Sequence, residues 1–156
     1  MPLLQDDLVG LTEAIWQSVL TLEAFPIPPE LVGDSLAGQP TYTACVAISG
    51  GWDGTVAIVV PVRLATVIAA DMFALSPDEL DSELISDAIG ELANIAGGNI
   101  KGIIEEPCEL GLPIVAEGTS YKVSVPGTRT VCQAAFECAG DPFTVSLNSS
   151  SDLPIA

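Results

Sequence analysis

Leu8, Leu11, Ile15, Val19 and Leu22 recur at helical spacing and predict a helix over 6–23, with Asp6 and Asp7 at its N-terminal end. Phe25-Pro26-Ile27-Pro28-Pro29 follows as a proline-stiffened extended connector. The period then changes. Residues 41–49 and 54–61 read as two strands joined through Gly50-Gly51-Trp52-Asp53-Gly54, a hairpin turn. The second strand is continuously apolar and β-branched, the pattern of a strand in the middle of a sheet. A second helix is predicted over 62–74. Ser76-Pro77-Asp78-Glu79 is a helix-start signal, with Ser76 as cap and Pro77 in the first turn. The long helix it opens is predicted over 77–105, with a break near Asp81 and a stop at Pro107. Beyond it lie short pieces at 108–117, 121–126, 130–137 and 143–147. Each is bounded by Gly, Pro or Asp and reads as a strand. The Ser-rich tail 148–156 reads as frayed. A helix, a hairpin, two helices and a run of strands is not the alternation of a doubly wound sheet. It predicts a single α+β domain over 1–156, with long helices packed on an antiparallel or mixed β-sheet.

The long helix carries the densest chemistry. At about 100° per residue, Asp87, Glu91, Asn94, Gly98, Lys101 and Glu105 fall within an arc of about 80°. Ile85, Ile89, Leu92, Ala96, Ile100 and Ile103 fall opposite and are expected to be buried. Glu91 and Asn94 should therefore point outward together, one turn apart, able to hold a water and a partner side chain at fixed spacing. The competing reading is a merely solvated helix face. Against it, Asn costs several tenths of a kcal/mol relative to Ala inside a helix, so its presence asks for a reason. Gly97 and Gly98 cost about 1 kcal/mol each in the same setting. They are expected to mark close approach of a neighbouring helix or, at Gly98, of a partner. Gly97-Gly98-Asn99-Ile100-Lys101 lacks the spacing of a phosphate loop and lies inside a helix rather than after a strand.

Composition narrows the chemistry. The 156 residues include 21 Asp and Glu, 4 Lys and Arg and no His, a formal net charge of −17. Such a chain repels nucleic acid and anionic membrane surfaces, so neither is an expected partner. Without histidine there is no Ser-His or Cys-His nucleophile pair. The four cysteines form no Cys-x-x-Cys pair, so neither a zinc nor a redox site is expected, and no cofactor or metal of the protein's own. Cys132 and Cys138 would share one strand face as small buried thiols, and Trp16 and Trp52 read as packing residues. The N-terminus lacks the features of a signal peptide and no apolar run reaches about 18 residues, so the cytoplasm is the expected compartment.

Asp87-x-x-x-Glu91-x-x-Asn94, followed by Ala96-Gly97 and later by Leu112-Pro113, resembles the signature of the CheC/CheX/FliY phosphatases of bacterial chemotaxis, most nearly that of CheX. The order of elements resembles CheX-like domains over most of the chain. The resemblance implies hydrolysis of the aspartyl phosphate of a CheY-type response regulator. Asn94 would orient the attacking water and Glu91 would pair with the receiver lysine. The receiver would bring Mg2+, the lysine and the phosphorylated aspartate. Such chemistry is mostly positioning and needs no histidine. Asp87 would flank the site, Gly98 would admit the partner, and Lys101 would meet an acidic patch on it. Glu13-Ala14-Ile15-Trp16 stands where a second pair would need a carboxamide, which implies a single site. Asn94 and Pro113 are closer together than in CheC, so no role passes to Pro113. The resemblance also implies a homodimer paired through the sheets. Two other functions stay open: a non-catalytic module docking on a receiver or a flagellar switch component, and an unrelated enzyme using Asp87 and Glu91. As i,i+4 carboxylates on a solvated face, the last two have little reason for a shifted pKa.

Overall fold

The computed structural model describes residues 5–32, 36, 38–119 and 127–150; the strand read at 121–126 and residues 151–156 of the tail lie outside the described residues. Helix α1 spans Gln5–Val19 and turns Leu8, Ile15 and Trp16 inward. It stops four residues earlier than its periodicity predicts; Leu20 and Leu22 pack on the core from the bent, non-helical stretch that follows. The proline-rich connector contains a short strand, β1 (Phe25–Ile27), and a 3-10 turn at Pro29–Leu31. Prolines are tolerated there because β1 is an edge strand, paired only with β6.

The predicted hairpin forms as β2 (Pro40–Gly50) and β3 (Gly54–Pro61), in register from Thr41 opposite Pro61 to Ile48 opposite Gly54. The Trp52 indole lies directly over Gly54, where an added Cβ would sit 2.0 Å from the ring. Helix α2 covers Val62–Phe73. The predicted break at Asp81 is a full separation. Pro77–Glu79 is a 3-10 turn, held by the Ser76 N–H and Oγ each donating to the Glu79 carboxylate at 3.0 Å. Leu80 is extended, and Asp81 caps the next helix by accepting from the Leu84 N–H at 2.8 Å. That helix, α3, runs from Ser82 to Ile103.

The segment predicted as one strand over 108–117 is two, β4 (Cys108–Leu110) and β5 (Ile114–Thr119). Both pair with the same edge of β2, β4 at Ile48–Gly50 and β5 at Pro40–Cys45, so the chain must break at Gly111–Pro113 to change register. Strands β6 (Arg129–Cys138) and β7 (Asp141–Ser149) form a tight hairpin. Its two-residue loop, Ala139-Gly140, has positive φ at both positions, 50° and 85°. Asn148 and Ser149, read as the start of a frayed tail, belong to β7. Ser149 is buried and its Oγ donates to the Asp53 carbonyl at 2.6 Å.

Every described strand pair is antiparallel, so the sheet is antiparallel rather than mixed. Its order is β1-β6-β7-β3-β2-β4, with β5 beside β4 on β2, which places the apolar β3 at the centre as predicted. Among the described residues, three helices pack on one face of seven strands, an α+β architecture. Trp16 of α1 stacks on Phe143 of β7 at 4.6 Å, and Phe143 stacks on Phe136 of β6 at 5.0 Å. Cys132 and Cys138 are buried on the same face. Arg63 at the start of α2 pairs with Asp141 at 3.2 Å. No helix among the described residues is long and apolar enough to cross a membrane.

Candidate functional site

Helix α3 lies over β2 and β3 between α2 and the strands β4 and β5. Its buried row is Ile85, Ile89, Leu92, Ala96 and Ile100, as the periodicity predicts. Ile103 departs from the prediction: it is 39% exposed, because the helix ends there and the extended C-cap residue Ile104 takes the buried place instead.

The opposite stripe is open. Asp87, Glu91, Gly98, Lys101 and Glu105 are exposed, and Asn94 is half-buried. The structure therefore brings Asp87, Glu91, Asn94, Gly98 and Lys101 onto one continuous outward surface. Glu91 and Asn94 are separated by about 4.5 Å of helix rise. Asn99, outside this stripe, turns its carboxamide back to the Ile95 carbonyl at 3.1 Å. Asn94 makes no such local bond among the described residues, which leaves its amide donors and acceptor available.

Two glycines fix where this stripe stands. A Cβ on Gly97 would lie 2.8 Å from Leu110 Cδ1 and 3.0 Å from Val46 Cγ1. A Cβ on Gly90 would lie 3.2 Å from Val115 Cγ2 and 3.7 Å from Pro113 Cβ. The close approach expected at Gly97 is thus to the sheet and not to a neighbouring helix. Gly98 has nothing within 4 Å of such a Cβ, which leaves it open to an incoming surface. Asn94 lies four residues after Gly90 and three before Gly97, on the same side of α3. Leu110, just before the β4–β5 loop, lies at the level of Gly97 and Pro113, at its end, at the level of Gly90, so the loop spans the levels of α3 that bracket Asn94.

Sequence reasoning noted Leu112-Pro113 as part of the signature and gave that loop no role. Its Leu112 is 88% exposed, the most exposed large apolar side chain among the described residues, and the following Ile114 is 73% exposed. The available signal was the break in the strand pattern at Gly111-Leu112-Pro113. Trp16, at the position where a second carboxamide would be needed, is 1% exposed and belongs to the aromatic stack. Among the described residues no group of three or more Cys, Asp or Glu converges in a way that would hold a metal ion.

The family model described as "Chemotaxis phosphatase CheX" matches residues 42–137, a span that contains α3, β4, β5 and the whole outward stripe. No curated protein matches the chain. Among solved structures, a chemotaxis protein CheX from Desulfovibrio desulfuricans is similar with a TM-score of 0.70 at 18% identity, over 90% of this chain and 94% of that one. CheX from Vibrio vulnificus gives 0.71 at 17% identity, over 91% and 93%. The CheX of a CheX–CheY–BeF3–Mg complex from Borrelia burgdorferi gives 0.67 at 15% identity, over 91% and 95%. At these identities the likeness is one of fold.

Proposed function

Because this chain belongs to the CheX family of chemotaxis phosphatases, we propose that it hydrolyses the aspartyl phosphate of a CheY-type receiver domain from the outward stripe of α3. The observation that carries the reading is the pairing of an exposed Glu91 with an Asn94 whose amide has no local partner, on a helix held against the sheet. A relative of the same fold has been solved in complex with CheY, which supports a receiver as the partner.

The receiver would bring the phosphorylated aspartate, a lysine and Mg2+, so this chain needs to add little. Asn94 offers one carboxamide oxygen and two N–H donors, which orient a water without titrating. Glu91, on its exposed site, pairs with the receiver lysine, which fixes the register of docking. Asp87 lies one turn before Glu91 and adds negative potential beside that contact. Gly98, without a side chain, lets the receiver surface close over the helix, and Lys101 meets carboxylates at the far end of the contact. Positioning of this kind accounts for most of what a phosphoryl-transfer site must supply. The proposal includes action in the cytoplasm, where receivers work, and a homodimer paired through sheet edges; β1 and β5 each have one strand partner among the described residues.

The test is decay of a phosphorylated CheY-type receiver with Mg2+, with wild-type protein or the Glu91→Ala/Asn94→Ala double variant. Acceleration by wild type, lost in the double variant, is the expected result. Binding without acceleration would replace the phosphatase with an adaptor. Light scattering at micromolar concentration checks the dimer.

A further inference from the structure

The polar stripe of α3 does not by itself select a partner. Glu83, Asp87 and Glu91 recur every four residues and attract any basic surface. The whole chain, at −17, does the same. Exposed charge pairs contribute little and fade with salt. A selective contact needs an apolar group placed where the docked partner must cover it.

We propose that Leu112 is that group: the specificity-determining anchor by which this protein holds the receiver at whose phosphate Asn94 orients the attacking water. The inference rests on the phosphatase reading for the identity of the partner. Leu112 sits at the tip of the β4–β5 loop, where Gly111 donates its N–H to the Ala47 carbonyl at 2.8 Å. Pro113 beside it lies against Gly90. Backbone and proline are thus pinned while the leucine side chain stays 88% exposed. An immobilised exposed leucine loses little entropy when a partner covers it, because its loop is already ordered. Leu110 before it lies at the level of Gly97 and Pro113 after it at the level of Gly90, so its loop spans the levels of α3 that bracket Asn94. On this proposal a receiver domain that brings its phosphate to Asn94 extends over the loop and covers Leu112. No core contact depends on Leu112, whereas the neighbouring Leu110 and Val115 pack on the core. The two strands could have been joined by polar residues.

The experiment compares wild type, Leu112→Ala, Leu112→Met and Glu91→Ala/Asn94→Ala. It reads kcat and KM with phosphorylated receiver, and Kd for the receiver activated with beryllofluoride. The expected result for Leu112→Ala is KM and Kd raised about tenfold, equal to about 1.4 kcal/mol, with kcat within twofold and the melting temperature unchanged. Leu112→Met should restore both constants. The Leu112→Ala effect should persist in 0.5 M salt, where the charge contacts of the stripe weaken. Wild-type turnover with KM and Kd unmoved by Leu112→Ala would overturn the anchor and leave the phosphatase standing. A fall in kcat alone would also overturn it. If wild type binds without turnover and Leu112→Ala still weakens binding tenfold, the anchor stands and the phosphatase falls. No binding by wild type to any receiver of the organism overturns both. A change from dimer to monomer in Leu112→Ala would assign the leucine to a second copy of this chain and overturn the receiver assignment.

Discussion

Gly97 and Gly98 are neighbours in the same helix, yet the structure assigns them opposite responses to a methyl group. Gly98→Ala places its Cβ in open space, so it gains only the helix propensity of alanine, about 0.8–1 kcal/mol. Gly97→Ala gains the same propensity and meets the sheet. Its Cβ would stand 2.8 Å from Leu110 Cδ1, the far end of a half-buried side chain that can swing. It would also stand 3.0 Å from Val46 Cγ1, on a β-branched residue fully buried in β2 that cannot. The helix has to lift by a few tenths of an ångström over one turn. Overpacking of this kind costs about 1–3 kcal/mol. The net for Gly97→Ala is neutral to about 2 kcal/mol destabilising, and the gap between the two variants is about 1–3 kcal/mol. Urea unfolding with a shared m-value measures it. At about 2 kcal/mol/M, within the usual range for m, the midpoints separate by roughly 0.5–1.5 M, with Gly98→Ala above wild type. Superimposable curves, or Gly97→Ala as the more stable variant, would refute the claim that Gly97 sets the height of α3 over the sheet. The same stabilised Gly98→Ala protein should turn over phosphorylated receiver more slowly if that face admits the partner.

Two further outcomes follow from other parts of the fold. Ala139 holds φ of 50° in the β6–β7 turn, which an L-alanine adopts at a cost, whereas Asn-Gly is the favoured pair for this turn type. Ala139→Asn should raise stability by about 0.5–1 kcal/mol in thermal or urea melts, and a loss of stability would contradict the turn assignment. Burial pushes the Cys45, Cys132 and Cys138 thiols above their ordinary values, with Asp7 adding to the shift at Cys132. The folded chain then holds thiol protons more tightly than the unfolded one. The stabilisation is full below about pH 8.5, the unfolded thiol value. It is lost as pH rises through the folded values, because the unfolded state binds fewer protons there. Unfolding midpoints should fall from pH 8 to pH 10, and Cys132→Ala/Cys138→Ala should flatten that fall; an unchanged slope would sink the account.

How much of this was readable in the chain depends on the range of the interactions involved. The β2–β3 hairpin, α2, the buried face of α3 up to Ile100 and the outward placing of Glu91 are set by local periodicity, and the structure has them where the pattern puts them; Ile103 alone of that face is exposed. The break at Asp81 was visible, but its depth was not. Ser76 and Asp81 are two successive caps only five residues apart, each with its own carboxylate bond. Strand β1 was hidden by its prolines, because an edge strand owes its existence to a partner more than 100 residues away, Phe25 facing Glu137. The split between β4 and β5 was hidden for a related reason: sharing one edge of β2 is a tertiary fact. The exposed Leu112 lies in the loop that this split creates, so the flank of the candidate site could not be read from the helix that carries it.

Strand β3 obtains one neighbour, β2, from the adjoining hairpin and the other, β7, from Asp141–Ser149, about 90 residues further along. The middle of the sheet is therefore the last part a growing polypeptide can complete. Until β7 emerges from the ribosome, the ring of Trp16 has no Phe143 to stack on and one edge of β3 is bare. A product cleaved at Gly140 would retain Glu91, Asn94 and Leu112 in sequence, and would still present an open, sticky sheet edge instead of a docking surface. In a cell, such a fragment is a client for chaperones and proteases rather than a weakened enzyme.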